Sequence, residues 1–370
     1  MTDDRPVPLD EYPVHQVPLS MKYVATGDRN AYDRCIFHVL DHDGRALLIL
    51  GLGVYPNLGV IDAYATLRLG ETLHAVRASD ALRDDSRTNL AVGPLRILVE
   101  RPLRDFVLSC EAAPGDPDGL SFEINWSADF PALWEPHHLQ RRGGRLTLEG
   151  RRFAQAGHCD GWIRVGGREL RVRGWTGTRD RSWGVRPVPG EEGGRLAEEH
   201  PTAGFHWIWC PVRFEDRFLM VIVQEDADGH RSLNDATLVR PGHRDRQLGW
   251  PQAEITYRPG TRHPERAVVH LGDIRKPMEL EVEVLTSSPL ALGAGYPPAD
   301  DWQHGTWQGR DWTDRRTYDL TEPHPLAAFG VTDHAARFRL DGRIGHGIFE
   351  HGSFGRHDPS GFTGFDSVAP

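Results

Sequence analysis

Alternation of apolar and polar residues runs through the chain. In LSFEINWSADF, Leu120, Phe122, Ile124, Trp126, Ala128 and Phe130 fall on one face and Ser121, Glu123, Asn125, Ser127 and Asp129 on the other. A period of two is that of a strand with one buried face. MELEVEVL repeats it, setting Met278, Leu280, Val282 and Val284 against Glu279, Glu281 and Glu283. The 40 glycines and 27 prolines sit between such runs as punctuation, which predicts many short strands rather than one linker. Hairpin turns are expected at Gly166-Gly167 in VGGREL and around Asp228-Gly229 in EDADGHR. Helix is confined to short stretches such as DHAARF, none of which carries a sustained helical stripe.

The expected fold is therefore all-β with little helix. Both halves hold a comparable set of candidate strands, and the polar, glycine-bearing LQRRGGRLTLEGRRFAQAGH lies between them. The division is placed at residue 155, giving units 1–155 and 156–370. Two packed antiparallel β-barrels or strongly bent sandwiches are the simplest arrangement. At 370 residues the chain has cores large enough to fold without staples.

Charge and cysteine usage narrow the function. The balance of 53 acidic to 43 basic residues gives a net charge of -10, and no basic tract occurs, which speaks against nucleic acid and anionic membranes as partners. Lys22 and Lys276 are the only lysines, so arginine is this chain's default cation and an isolated one carries little weight. Cys35, Cys110, Cys159 and Cys210 form no C-x-x-C pair, which removes zinc-ribbon and thioredoxin readings and predicts buried free thiols. The acidic, proline-rich start lacks the apolar core of a signal peptide, and no apolar run is long enough to span a membrane. A cytoplasmic protein without a transmembrane segment is the expectation.

Four stretches could carry chemistry. GLGVYPNLGVIDAY lacks the order of a dinucleotide fingerprint; it reads as a strand turn, with Tyr55, Asn57 and Asp62 as candidates for a cavity mouth. GTRDRSWGVRP places Asp180 and Trp183 on opposite faces of a regular strand, so they share a cavity only if the strand bends near Gly184. An aspartate on an apolar interior face has its pKa raised and can donate a proton, against the alternative of a structural corner. In AGFHWIWCPVRF, Phe205, Trp207 and Trp209 alternate with His206, making an aromatic wall that is either core or cavity lining. Because Trp162, Trp175, Trp183, Trp207 and Trp209 are five of the chain's 11 tryptophans, a hollow among them is expected. RIGHGIFEHG does not match H-E-x-x-H, so no metal site is predicted there; a Glu350–His346 hydrogen bond near the cavity is the functional alternative.

The string G-x-R-D-R-S-W-G-x-R, followed by W-x-W and an apolar strand with F-x-D-R-F-L-M, resembles the lipocalin-like superfamily of carotenoid 1,2-hydratases and AttH-type proteins. GVYPNLGVIDAY and GRIGHGIFEHGSFG are also similar to bacterial relatives of that group. The resemblance implies two consecutive calycin-type barrels with a hydrophobic cavity, and proton-transfer chemistry on an alkene or polyene. Asp180, Trp183 and Gly184 match the group's aspartate and Trp-Gly, and Trp207 and Trp209 its W-x-W. Trp207 stands where the hydratases have histidine, with His206 adjacent, and Asp235 in RSLNDATLV is the nearest downstream acid.

The leading expectation is a cofactor-independent lyase or isomerase of hydratase, dehydratase or cyclase type, acting on a hydrophobic terpenoid, polyene or lipid-like molecule. Asp180 or Asp235 would donate the proton, His206 relay it and Glu350 assist, while Trp183, Trp207 and Trp209 stabilise cationic character. No metal, nucleotide or flavin is required. A non-catalytic carrier of such molecules and a glycan-processing β-protein are the alternatives; the last needs two carboxylates facing one groove.

Overall fold

The computed structural model describes residues 17–84, 87–113, 115–116, 118–142, 144–190, 204–273, 275–299, 301–322 and 324–370. The first part of the chain runs through β1 (Ala31–Leu40), β2 (Ala46–Tyr55), β3 (Val60–Leu69), β4 (Thr72–Ala81), β5 (Leu90–Val92), β6 (Leu95–Arg101), β7 (Asp105–Cys110), β8 (Ser121–Ala128), β9 (Leu133–Trp134) and β10 (His138–Arg142). It closes with the long hairpin of β11 (Arg145–Val165) and β12 (Arg168–Val185). The second part adds β13 (Phe205–Arg213), β14 (Phe218–Asp226), β15 (Arg231–Val239), β16 (Arg246–Gln247), β17 (Gln252–Tyr257), β18 (Pro264–Asp273) and β19 (Lys276–Pro289). It ends with β20 (Trp312–Asp319), β21 (Thr332–Leu340) and β22 (Arg343–Phe354). Among the described residues helix is limited to three-residue turns, and no helix is long and apolar enough to cross a membrane.

The strands form two curled antiparallel sheets, each a half-barrel. One has the order β20-β4-β3-β2-β1-β12-β11-β8-β7-β6-β5, with β9 and β10 pairing on β11; the other runs β16-β15-β14-β13-β22-β21-β19-β18-β17. Period-two alternation then gives three buried layers from two sheets. Phe37, Leu50, Leu108, Phe122 and Trp126 fill the first half-barrel, and Val212, Val221, Val269, Leu280 and Phe338 fill the second. The opposite faces of the same strands meet between them, where Ile36, Ile49 and Ala154 pack against Trp209, Met220, Ile222 and Ile348.

Several expectations take definite form. LSFEINWSADF contains β8, with Phe122, Ile124 and Trp126 buried and Glu123 and Asn125 exposed. Gly166 and Gly167, at φ 57° and 70°, make the β11–β12 turn, and Gly229, at φ 87°, lies in the β14–β15 turn. Left-handed backbone at both central positions matches the twist of the flanking strands. The four cysteines are buried and free.

Two readings change. DHAARF lies in β21, not a helix, because Ala335 and Ala336 are buried in opposite layers as successive strand residues are. Residue 155 falls in the middle of β11, whose pairing with β12 is unbroken there; the chain leaves the first sheet only after β12. Nor does the second part stay separate, since β20 returns to pair with β4 from Trp312↔Ser79 to Asp319↔Thr72. The stretch taken for a crossing holds most of β10 and the start of β11, which pair from His138↔Gly150 to Arg142↔Arg145.

Candidate active site

The cavity lies between the half-barrels rather than inside one. About 200 Å³ of space is enclosed by β1, β10, β11 and β12 on one side and β13, β14 and β22 on the other, with Tyr296 and Val331 from intervening loops. Strand alternation selects what faces it. On β12, Asp180 and Ser182 point into the cavity, and on β13, Phe205 and Trp207 do so.

Arg152 organises one polar network. Its guanidinium donates to Asp180, and its Nε lies 3.4 Å from Glu135 Oε1. Glu135 also accepts from Trp209 Nε1 at 2.7 Å and pairs with His138 Nε2 at 3.0 Å. Burial pushes the Glu135 carboxyl up, but Arg152, His138 and Trp209 together bring it below the usual carboxylate range. The guanidinium sits 4.7 Å from the ring centroid of Trp209 and 5.7 Å from that of Trp207. One cation therefore occupies both indoles.

The second network ends at Glu350. Glu350 and Asp333 are opposite one another across β22 and β21, so two buried carboxyls neighbour each other beside the cavity. Burial pushes Glu350 up to about 8, with the Asp333 charge adding to it and Arg152 and Trp207 opposing. Asp333 is likewise pushed up, to about 7, chiefly by burial. The pair thus titrates as a unit that holds a proton at neutral pH. Trp207 Nε1 donates to Glu350 Oε1, leaving Oε2 for the acid proton. Behind the pair, His38 links Asp333 Oδ2 at 3.0 Å with Thr178 Oγ1 at 3.1 Å. Burial lowers His38 to about 4, so the ring is neutral.

The sequence-derived residues separate accordingly. Asp180, Trp207 and Glu350 come together at the cavity, and Trp209 lies fully buried beneath Arg152. Trp183 does not join them. The β12 register is unbroken past Gly184, so Trp183 stays on the opposite face, edge-on to Trp134 and Phe153. Asp235 is also apart, accepting from Thr237 Oγ1 at 2.8 Å and Gln247 Nε2 at 3.0 Å on β15. His206 faces the interior of the second half-barrel, stacked on His357 at 4.1 Å. Asn57 is a brace: its amide donates to the carbonyls of Thr26 and Asp28, both at 2.8 Å. Tyr55 is buried and lines a neighbouring cavity, while Asp62 accepts from Gly305 N at 2.7 Å and bonds His304. His346 stacks on His42 at 4.3 Å instead of meeting Glu350. Trp162 and Trp175 lie away from the cavity, so the tryptophans do not surround one hollow.

His206, Glu225 and His357 offer ligand atoms within 4.8 Å of one another and could hold a metal. Two of the three are already engaged: His357 joins Glu225 and Ser360, and Arg231 donates to Glu225 at 2.7 Å, while His206 Nδ1 is buried without a hydrogen-bond partner among the described residues.

Glu135, Arg152, His38 and Asp333 are the site residues that sequence reasoning missed. His38 had a signal, a polar residue on the same strand face as Ile36 and Leu40. Asp333 sat in the stretch taken for helix, and Arg152 among many arginines.

A family model matches residues 7–363. The chain belongs to DUF8625, a family of unknown function. No curated protein matches this DUF8625 chain in sequence. Among solved structures, a putative AttH from Nitrosomonas europaea is 14% identical with a TM-score of 0.55, over 94% of this chain and 99% of that one. Kievitone hydratase from Nectria haematococca is 10% identical with a TM-score of 0.50, over 87% of this chain and 88% of that one. The DUF8625 chain thus has the lipocalin-like double-barrel fold.

Proposed function

We propose that this protein is a lyase of hydratase or dehydratase type, with Glu350 as general acid and Asp180 as general base. The observation that carries the reading is the Glu350–Asp333 pair, a protonated carboxyl presented to a cavity and backed by His38. A general acid is most useful with its pKa near the working pH, and burial supplies that shift here. A hydratase shares the fold, which supports the same reaction class.

In the water-removing direction, Asp180 takes a proton from carbon, the neighbouring C–O bond breaks, and Glu350 gives its proton to the departing hydroxyl. A C=C bond and one water result; addition is the reverse. Arg152 donates to Asp180 and fixes the orientation of its carboxyl at the cavity. The substrate's apolar surface packs against Ile36, Leu148, Phe205, Trp207 and Val331. The expected stabilisation of a carbocation by tryptophan faces is not the favoured version, because Arg152 already occupies Trp207 and Trp209. A fixed cation stabilises negative charge developing on substrate instead.

The test is incubation in D2O with an extract of small metabolites, reading deuterium on carbon by mass spectrometry. Wild-type protein labels a compound that gains or loses water, and Glu350→Gln does not. No labelled compound with wild type, or full labelling by Glu350→Gln, overturns the assignment.

A further inference from the structure

Buried arginines in this protein are matched by carboxylates or, as with Arg179 and Arg262, by the Gln155 amide oxygen and backbone carbonyls. Arg152 has Asp180 and Glu135, Arg77 has Asp301 and Asp314, and Arg181 has Asp33. Arg34 and Arg186 differ. Both line the site cavity, and neither has a carboxylate within ion-pair distance among the described residues. Arg34 is 3% exposed and donates only to the hydroxyl of Tyr296, at 3.0 Å. Its guanidinium lies 5.0 Å from the Tyr296 ring, and that of Arg186 lies 6.0 Å from the same ring and 5.5 Å from Tyr32. Two cations therefore share one tyrosine without a carboxylate partner among the described residues.

The nearby acid, Asp62, acts on Arg34 only through its field and makes no ion pair with it. Asp62 spends one oxygen on the Gly305 N–H at 2.7 Å and the other on His304 at 3.1 Å. Burying one guanidinium without an anion is costly, and a second beside it adds repulsion. The same two arginines and Tyr296 also border a second cavity of about 200 Å³, walled by Tyr55, Val188, Pro297 and His304. The two spaces thus meet at the unpaired cations.

We propose that Arg34 and Arg186 form the anchoring subsite for an organic carboxylate, whose apolar frame runs from this junction to Glu350. The planar fork of a guanidinium matches a carboxylate in two hydrogen bonds, and the tyrosine walls suit an aromatic or extended apolar frame. This refines the substrate class of the proposed lyase, and rests on that reading only for what happens at the Glu350 end. Terpenoids or polyenes without an acid group would leave both charges uncompensated.

The full-length protein is titrated with cinnamate, 2-naphthoate and dodecanoate and with the methyl ester of each, followed by tryptophan fluorescence and thermal shift. At least one acid should bind about tenfold or more tightly than its ester, the size of one charge-assisted hydrogen bond. Arg34→Gln and Arg186→Gln should each reduce that preference. If Arg34→Gln fails to fold, half-buried Arg186→Gln decides the matter. Esters binding as well as acids, no acid binding, or a preference that survives substitution overturns the subsite. Inorganic phosphate displacing the acid at equal concentration overturns the carboxylate assignment. Glu350→Gln should keep the preference; should it keep turnover as well, the acid role fails and the subsite stands.

Discussion

Asp333 and Glu350 face each other across adjacent strands beside the cavity, and burial raises both carboxyls, to about 7 and about 8. Neither carboxyl has this environment in the unfolded chain, so the pair links stability to pH.

Both carboxyls bind protons more tightly when folded. The native state therefore holds more protons than the unfolded state between about pH 4.5, the usual glutamate value, and about 8. Stability from this pair is largest at the acid end and is lost as pH rises through that window, at up to about 1.4 kcal/mol per pH unit for each proton. Buried histidines such as His38, with lowered pKa values, act in the opposite sense at lower pH. Urea unfolding of wild type and Glu350→Gln across the window separates the two. The neutral variant should gain on wild type steadily toward alkaline pH, and parallel curves would contradict the raised Glu350 carboxyl.

Arg152 holds Asp180 and Glu135 together within the protein. Arg152→Met leaves two buried carboxylates without their cation and is expected to cost about 3–5 kcal/mol in denaturant unfolding. Adding Asp180→Asn should recover part of the loss, because one unpaired charge is removed. A double variant whose cost equals the sum of the two singles would show that the residues do not act as a pair.

Position relative to the two sheet faces separates residues that the sequence grouped together. Asp180→Asn and Trp207→Phe should lower turnover by about 10²-fold or more, the usual scale for an acid–base group or its positioning partner. Asp235→Asn and Trp183→Phe should leave it unchanged, since both lie away from the cavity. Deuterium labelling with the same extract measures all four. Loss of activity in Asp235→Asn would move the acid to β15.

What the sequence made legible was periodicity. The alternation in β8 and β19 names the buried residues, and the paired glycines mark the β11–β12 turn, because both depend on neighbouring residues alone. The face of β13 was legible for the same reason: Trp207 and Trp209 fall together and His206 opposite. Which face is core and which is cavity was not. Where β12 crosses the interior both of its faces are covered, so alternation cannot say whether Trp183 or Asp180 meets the other half-barrel. Arg152, Glu135, Asp333 and His38 are brought together from β11, a loop, β21 and β1 by pairings across as many as 295 residues. No local spacing encodes that.

A bend at Gly184 is the condition under which Trp183 could share the cavity with Asp180; β12 does not bend there, and the glycine serves close approach instead. Its φ is 138°, and a Cβ there would lie 2.0 Å from the carbonyl oxygen of Glu149 on β11. The neighbour is backbone and cannot rotate away. Gly184→Ala must therefore part β11 from β12, at a cost of about 1–3 kcal/mol from backbone strain and more from the clash. Because Arg152 and Asp180 reach each other across that same pair of strands, the substitution should also reduce turnover. Gly166→Ala is the control. It lies at the turn of the same hairpin with φ 57° and open space around it, so the strained turn alone should cost about 1 kcal/mol. Turnover should then match wild type. Equal losses of turnover in the two variants would mean that general hairpin stability, not the β11–β12 spacing beside Gly184, sets the site.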